Sequence, residues 1–233
     1  MLAVSNINSF YGAAHILHDV SLTISRGEVV ALLGRNGAGK STLIKTIIGI
    51  VPPCSGKISF EGEVVSGLEP FAIARRGIGF VPEDRRIFVS LTVEENLEVG
   101  RRSAPAGRDA WTPEKLYSIF PNLWEMRRRQ AAFMSGGEQQ MLTIARTLMG
   151  NPTLILLDEP SEGLAPKIVE QVALAITRMT ASGITVLLSE QNMHFASLVS
   201  ERAYVIEKGQ IKFCGRMDEL RSNEEIRRNY LAV

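Results

Sequence analysis

The chain has 233 residues, 45% hydrophobic and 22% charged. This composition supports a packed globular domain and excludes a disordered or fibrous chain. Lysine plus arginine (26) against aspartate plus glutamate (25) leaves a formal charge of +1, which gives no electrostatic case for nucleic-acid binding. No apolar run approaches the roughly 18 residues of a membrane span. The opening MLAVSNINSFYG lacks the basic flank and apolar stretch of a secretory signal, so the chain is expected to be intracellular. Cys54 and Cys214 form neither a CxxC pair nor a disulfide framework and are expected as isolated thiols.

In chain order, the first sixty residues alternate strand signals and turns. HILHDVSLTI (15–24) reads as a strand and EVVALLG (28–34) as a short buried one. STLIKTIIGI (41–50) carries Leu43, Ile44, Ile47 and Ile48 at helical spacing before Pro52 and Pro53. KISFEGEVV (57–65) reads as strand and turn, and 71–88 passes from short helix to apolar strand to charged loop. Thr92 followed by Glu95 predicts a capped helix start. Segment 101–113 has loop composition, and 113–130 is expected mostly helical with a break at Pro121. The span 84–134 thus reads as a helical insert in one α/β domain covering 1–233. Beyond it, 138–150 is an amphipathic helix expected to stop at Gly150. TLILLDEP (153–160) and ITVLLSE (184–190) suit buried parallel strands, 167–183 a helix, and 203–215 a hairpin around Lys208-Gly209.

Three motifs carry chemistry. Gly34, Gly39, Lys40 and Ser41 fit G-x-x-x-x-G-K-[ST], between a buried strand and an amphipathic helix as that motif requires. Gly34, Gly37 and Gly39 let the backbone turn tightly and aim its amides at phosphate oxygens. The helix start adds its positive end, Lys40 reaches the β and γ phosphates, and the Ser41 hydroxyl can ligate Mg²⁺. Residues Gly34 and Asn36, Gly37, Ala38, Gly39, Lys40, Ser41 and Thr42 are therefore assigned to the nucleotide. Asp158 and Glu159 close a strand at the sheet edge where ligands bind; Asp158 is assigned to Mg²⁺ and Glu159 to the attacking water. Ser135, Gly136 and Gly137 open a helix and form a second anion site. One γ phosphate already has a loop, so a second protomer would account for the extra site; a plain N-cap serine is the simpler reading of Ser135.

Assembled, GRNGAGKST, SGGEQQ, LILLDEP and a strand ending in SEQN resemble the ATP-binding subunit of an ATP-binding cassette transporter over about residues 4–230. VPEDRRIFVSLTVEENLEVG (81–100), SEGLAP (161–166) and LLSEQN (187–192) are similar to the second ATPase subunit of branched-chain amino acid importers. Urea and short-amide importers look closely alike and usually carry Gln where this chain has Glu83. The resemblance implies a P-loop hydrolase fold with a mostly parallel core sheet, an N-terminal antiparallel β subdomain and an inserted helical subdomain. It implies ATP and Mg²⁺, with Tyr11 stacked on adenine and Ser135 and Gly137 contacting the partner's ATP. It also implies a second ATPase subunit, two membrane permeases, an extracytoplasmic solute-binding protein, closure of the dimer on ATP, and a place on the cytoplasmic face of the membrane through the permeases.

Four positions depart from the wider family: Glu83 for a glutamine that contacts Mg²⁺, Glu138 for the signature's last glutamine, Leu164 for an aspartate, and Gln191 for the histidine that senses the γ phosphate. A glutamine amide can donate to a phosphate oxygen but cannot become cationic, so Gln191 is expected to modulate catalysis. His194 lies one helical turn from Gln191 if that stretch is helical and reads as a surface residue, as His15 and His18 read as packing or surface residues. Arg85-Arg86 and Arg127–Arg129 are basic clusters suited to a solvated face, a partner or anionic lipid. Competing readings are an exporter ATPase and a soluble cassette protein of translation or DNA maintenance. The latter usually has two cassettes or a long coiled-coil insert, for which this chain has no room.

Overall fold

A computed structural model describes every residue except Ala106, Ala232 and Val233; Ala106 falls in the expected loop 101–113 and so lies outside the described residues. Strands β1 (Leu2–Tyr11), β2 (Ala14–Ile24), β4 (Ser55–Phe60) and β5 (Glu63–Val64) form an antiparallel sheet in the order β2-β1-β4-β5. A second sheet runs β10-β9-β3-β8-β7-β6, built from β3 (Val29–Leu33), β6 (Ile78–Val81), β7 (Leu154–Asp158), β8 (Thr185–Glu190), β9 (Arg202–Glu207) and β10 (Gln210–Arg216). Its pairings are parallel except the β9–β10 hairpin at the edge.

The central strands are continuous apolar runs because both faces are covered. Along β3, Ala31 and Leu33 enter one apolar cluster while Val30 and Leu32 enter the other. In β7, Ile155 and Leu157 face one way and Leu154 and Leu156 the other. One face packs on helix α1 (Lys40–Ile47) and the antiparallel sheet. The opposite face packs on α6 (Gly136–Leu148) and α7 (Pro166–Ala181).

Helix α2 (Pro70–Arg75) precedes β6, and between β6 and α6 lie α3 (Val93–Gly100), α4 (Pro113–Ile119), α5 (Pro121–Glu125) and a short 3-10 turn, Ala131–Phe133. Thr92 and Glu95 form the expected capping box at the start of α3. Val93, Leu97, Leu116, Phe120 and Leu123 from this stretch belong to the same apolar cluster as α6 and α7. Pro121 breaks the helical run as expected, but helix stops at Glu125 and the chain returns through turns to pair Gln130 with Thr92.

The expected C-cap at Gly150 is corrected. Helix α6 ends at Leu148, and the left-handed residue is Asn151 (φ 52°). Asparagine tolerates that conformation, and its side chain is used twice there. Oδ1 accepts from Trp111 N (2.7 Å) and Nδ2 donates to Arg102 O (2.7 Å), tying segment 101–113 to the end of α6. Cys54 and Cys214 are free and exposed. Among the described residues no helix is long and apolar enough to cross a membrane.

Candidate nucleotide site

The phosphate loop leaves β3 at Gly34, where a methyl group would collide with the Ile206 carbonyl oxygen. Ala38, Gly39, Lys40 and Thr42 are buried, Ser41 is half-buried, and Arg35, Asn36 and Gly37 form an exposed rim. Helix α1 begins at Lys40, so its free first-turn amides and positive dipole end face the loop. The loop is braced from outside: Gly209 N donates to Ala38 O (2.8 Å), and His18 N donates to Gly209 O (2.9 Å). The Lys208-Gly209 turn, both residues left-handed (φ 47° and 72°), thus ties the phosphate loop to β2. The sequence marked this hairpin without showing what its turn holds.

Lys40 is 3% exposed, and its ammonium makes three contacts: Gly34 O (2.8 Å), Arg35 O (3.1 Å) and Glu159 Oε1 (3.0 Å). The two residues assigned to opposite sides of the reacting phosphate therefore form a buried ion pair. An arriving γ phosphate must compete with the Glu159 carboxylate for this cation. Glu159 itself has left-handed backbone (φ 48°), held by its N–H donating to Ser189 O (3.1 Å) and Oγ (3.2 Å). Such backbone costs about 1–3 kcal/mol and is kept where the surroundings over-determine it.

Asp158 is 1% exposed, and its Oδ1 accepts from the Ser41 hydroxyl (3.0 Å) and the Ser189 hydroxyl (2.6 Å). Burial pushes its carboxyl above the usual range, against those two hydrogen bonds. Among the described residues no group of three or more His, Cys, Asp or Glu side chains is arranged to hold a metal ion. One carboxylate and one hydroxyl at the mouth of a phosphate loop nevertheless fit Mg²⁺, which takes few protein oxygens and completes its shell with water and phosphate.

Glu190, which the sequence analysis did not single out, is a buried cross-brace. Its Oε1 accepts from Ser161 N (3.1 Å) and its Oε2 from Asn192 N (3.3 Å), while its carbonyl accepts from Gly34 N (3.4 Å). Burial raises its pKa. One residue thereby joins the phosphate loop, the loop after Glu159 and the loop bearing Gln191. Gln191 is exposed and precedes helix α8 (Met193–Val199), so it shares no helix with His194; the two line a cavity of about 400 Å³ with Arg221 and Leu231.

Glu83 sits in the exposed loop after β6, and its carboxyl faces Glu162. Glu162 also shares a hydrogen bond with Glu159, which pushes its pKa up to about 7, helped by burial and the charges of Glu159 and Glu83. Glu83 is therefore placed in a line of carboxylates. The sequence offered SEGLAP as a family likeness but gave Glu162 no role.

Ser135 is the N-cap of α6 in a full capping box: its Oγ accepts from Glu138 N (3.4 Å) and Glu138 Oε2 accepts from Ser135 N (2.6 Å). Ser135 therefore serves as the helix cap, and Glu138 has a place in it, since a carboxylate serves as the N3 acceptor. Among the described residues no hydrogen bond joins Ser135, Gly136 or Gly137 to the phosphate loop. Tyr11 stands at the end of β1, 49% exposed, opposite Ala14 in the hairpin. His15 packs, its ring stacked on Phe10 (4.1 Å) and set against His18 (3.8 Å), with Nε2 on Asn8 Oδ1 (3.0 Å).

The site's chemistry agrees with the comparisons to known proteins. The family model "ABC transporter" matches residues 17–162. The high-affinity branched-chain amino acid transport ATP-binding protein BraG of Pseudomonas aeruginosa is 45% identical over 231 residues, covering 99% of each chain. The lipopolysaccharide export system ATP-binding protein LptB of Haemophilus influenzae is 36% identical, covering 99% of this chain and 97% of its own. Among solved structures, the ADP conformation of MJ1267, an ATP-binding cassette of an ABC transporter, superimposes with a TM-score of 0.82 at 29% identity, covering 97% of this chain and 96% of that one. With the phosphate loop, the buried Lys40–Glu159 pair and the full-length likeness together, this chain belongs to the ATP-binding cassette family of transporter ATPases.

Proposed function

We propose that this chain is the ATP-hydrolysing subunit that energises import of branched-chain amino acids through an ATP-binding cassette transporter. The observation that carries the ATPase reading is the gathering of buried Lys40, Glu159 and Asp158 with half-buried Ser41 at the mouth of the phosphate loop. The solute is supported by the likeness to BraG and by Glu83 in place of glutamine. Urea or short amides are the alternative solutes.

In this reading Tyr11 stacks on adenine, and the amides of Gly34 and Asn36–Thr42 cradle the phosphates. Lys40 leaves Glu159 for the β and γ oxygens. Glu159, so released, accepts the proton of the attacking water. Gln191 donates one neutral hydrogen bond to the γ phosphate. Ser41 and Asp158, with Glu83, would hold Mg²⁺, which supplies charge neutralisation of the phosphates when bound.

Ser135, Gly136 and Gly137 have no phosphate of their own within the chain. We assign them to the nucleotide of a second ATPase subunit, with closure on ATP and reopening after hydrolysis. The span 84–134 forms the inserted helical subdomain, and with the Glu83 loop it meets two membrane permeases. An extracytoplasmic binding protein delivers the solute, and the chain sits at the cytoplasmic face through the permeases. The exposed Phe88, Val89 and Phe133 (47%, 54% and 63% exposed) support a protein-covered surface there.

Affinity capture of the tagged chain from gently solubilised membranes, followed by mass spectrometry, tests this. Two multispan proteins and a second cassette are expected, and the associated binding protein is then assayed against leucine, isoleucine, valine, urea and acetamide. Recovery of ribosomal or DNA-maintenance proteins with no membrane partner would overturn the transport reading.

A further inference from the structure

The loop after β6 is built unusually. Arg85 and Arg86 are consecutive non-glycine residues with left-handed backbone (φ 62° and 45°). Each such residue costs on the order of 1 kcal/mol, so something must hold the pair. Helix α6 does so: the Thr143 hydroxyl donates to Arg85 O (2.7 Å) and Arg146 Nη2 donates to Arg86 O (2.7 Å). Arg146 also lies over the Phe88 ring (5.0 Å), and Asn96 fixes Phe88 at both its N–H and its carbonyl (3.0 Å each). The loop carrying Glu83 is thus bolted to the body of α6.

The Arg85 side chain completes the link. A methyl group at Gly136 would sit 2.5 Å from Arg85 Nη1 and 3.2 Å from its Cζ, so the guanidinium lies directly on the first turn of α6. Among the described residues it makes no hydrogen bond or ion pair. A cation at a helix N-terminus is repelled by the helix dipole. It stays there because its backbone is fixed by α6, on the same first turn as the Glu138 carboxylate that already accepts from Ser135 N (2.6 Å).

We propose that Arg85 is a positioning residue for ATP hydrolysis, joining the Glu83 loop of one nucleotide site to the serine–glycine cluster that meets the other. The inference rests on the assignment of Ser135–Gly137 to the second subunit's nucleotide. The Arg85 guanidinium seats the Glu83 loop on the first turn of α6, so the positions of Glu83 and of the serine–glycine cluster are set together. Arg85 touches neither the bound nucleotide of its own chain nor the reacting atoms; it acts through Gly136 and Glu83.

The test uses the captured, assembled transporter carrying Arg85→Ala, Arg85→Lys or Ser135→Ala, with ATP turnover against ATP concentration, and thermal melting plus trinitrophenyl-ATP binding on the free full-length chain. Arg85→Ala is expected to lower kcat about tenfold at unchanged KM, nucleotide affinity and melting temperature. Arg85→Lys, which keeps the charge but not the flat guanidinium, should fall between. Wild-type kcat in Arg85→Ala, a KM rise matching the kcat loss, or a melting temperature that falls in parallel would overturn the inference. If Ser135→Ala also leaves turnover intact, the assignment of the cluster has failed; if Ser135→Ala loses turnover while Arg85→Ala does not, only the role of Arg85 has failed.

Discussion

Two glycine-bearing helix starts in this molecule, at Lys40 and at Ser135, are finished to different degrees. Around Lys40 the chain satisfies itself: the ammonium has three acceptors, Asp158 has two hydroxyl donors, and Glu190 bonds both loops beside them. Around Ser135 and Gln191 the groups are exposed, and the Arg85 side chain has no hydrogen-bond or ion-pair partner among the described residues. A buried polar group must be paired within the fold because solvent cannot reach it, whereas an exposed one can wait for a second molecule. The closed region is therefore complete within the chain, and the open region is the one that the proposed second subunit would complete.

Breaking the closed region should give the largest effects. Glu159→Gln is expected to cut ATP turnover of the assembled transporter by at least about 100-fold, the range for loss of a general base. Nucleotide affinity, read by equilibrium binding, should hold or tighten, because a neutral amide competes less for Lys40. Wild-type turnover would remove Glu159 from the mechanism.

Lys40→Ala should weaken nucleotide binding and also strip Glu159 of its only ion-pair partner among the described residues. An orphaned buried carboxylate costs about 3 kcal/mol, so the free subunit should melt several degrees lower. An unchanged melting temperature would show that the pair contributes nothing to folding.

Glu190→Ala tests the brace itself. It leaves the Ser161 and Asn192 amides without their acceptor. The buried Ser161 donor costs about 1 kcal/mol or more and the part-buried Asn192 donor less, so the melting temperature should drop by roughly 4 °C. Activity should fall with it, since the loops bearing Ser161 and Gln191 lose their shared acceptor, while Gly34 keeps the Glu190 backbone carbonyl.

On the open side the effects shrink. Gln191→Ala removes one neutral hydrogen bond and should lower turnover only about threefold; complete loss would make it indispensable. Glu162→Gln sharpens the border between the regions. The native carboxyl keeps its proton up to about pH 7, while an ordinary glutamate has lost it near 4.5. The native state therefore binds the extra proton across that window, and stability falls as pH rises from 4.5 to 7, then levels. The variant should lose this fall, melting about 2 °C above wild type at pH 8 and level with it near pH 4, a small shift because the group is exposed and screened.

The strands and helices of this protein are written in its periodicities. Runs such as LILLD and TVLLS, and the capped start at Thr92, identify their elements without any tertiary knowledge, because burial on both faces and the Thr–Glu pair are local requirements. The phosphate-loop string, the strand end at Asp158 and the helix start at Ser135 were legible for the same reason, each being a short local string that the structure places at those elements. The stop of α6 was not, since Asn151 rather than Gly150 turns the chain and does so to catch Trp111 and Arg102 from far away in sequence. Nor could the sequence by itself determine the pairing of Lys40 with Glu159, the brace at Glu190, the placing of Glu162 or the seat of Arg85 on Gly136. The decisive ones are long-range, with 29 positions between Ser161 and Glu190, 119 between Lys40 and Glu159 and 156 between Gly34 and Glu190, and only the packing of the two sheets and their helices decides which distant groups meet.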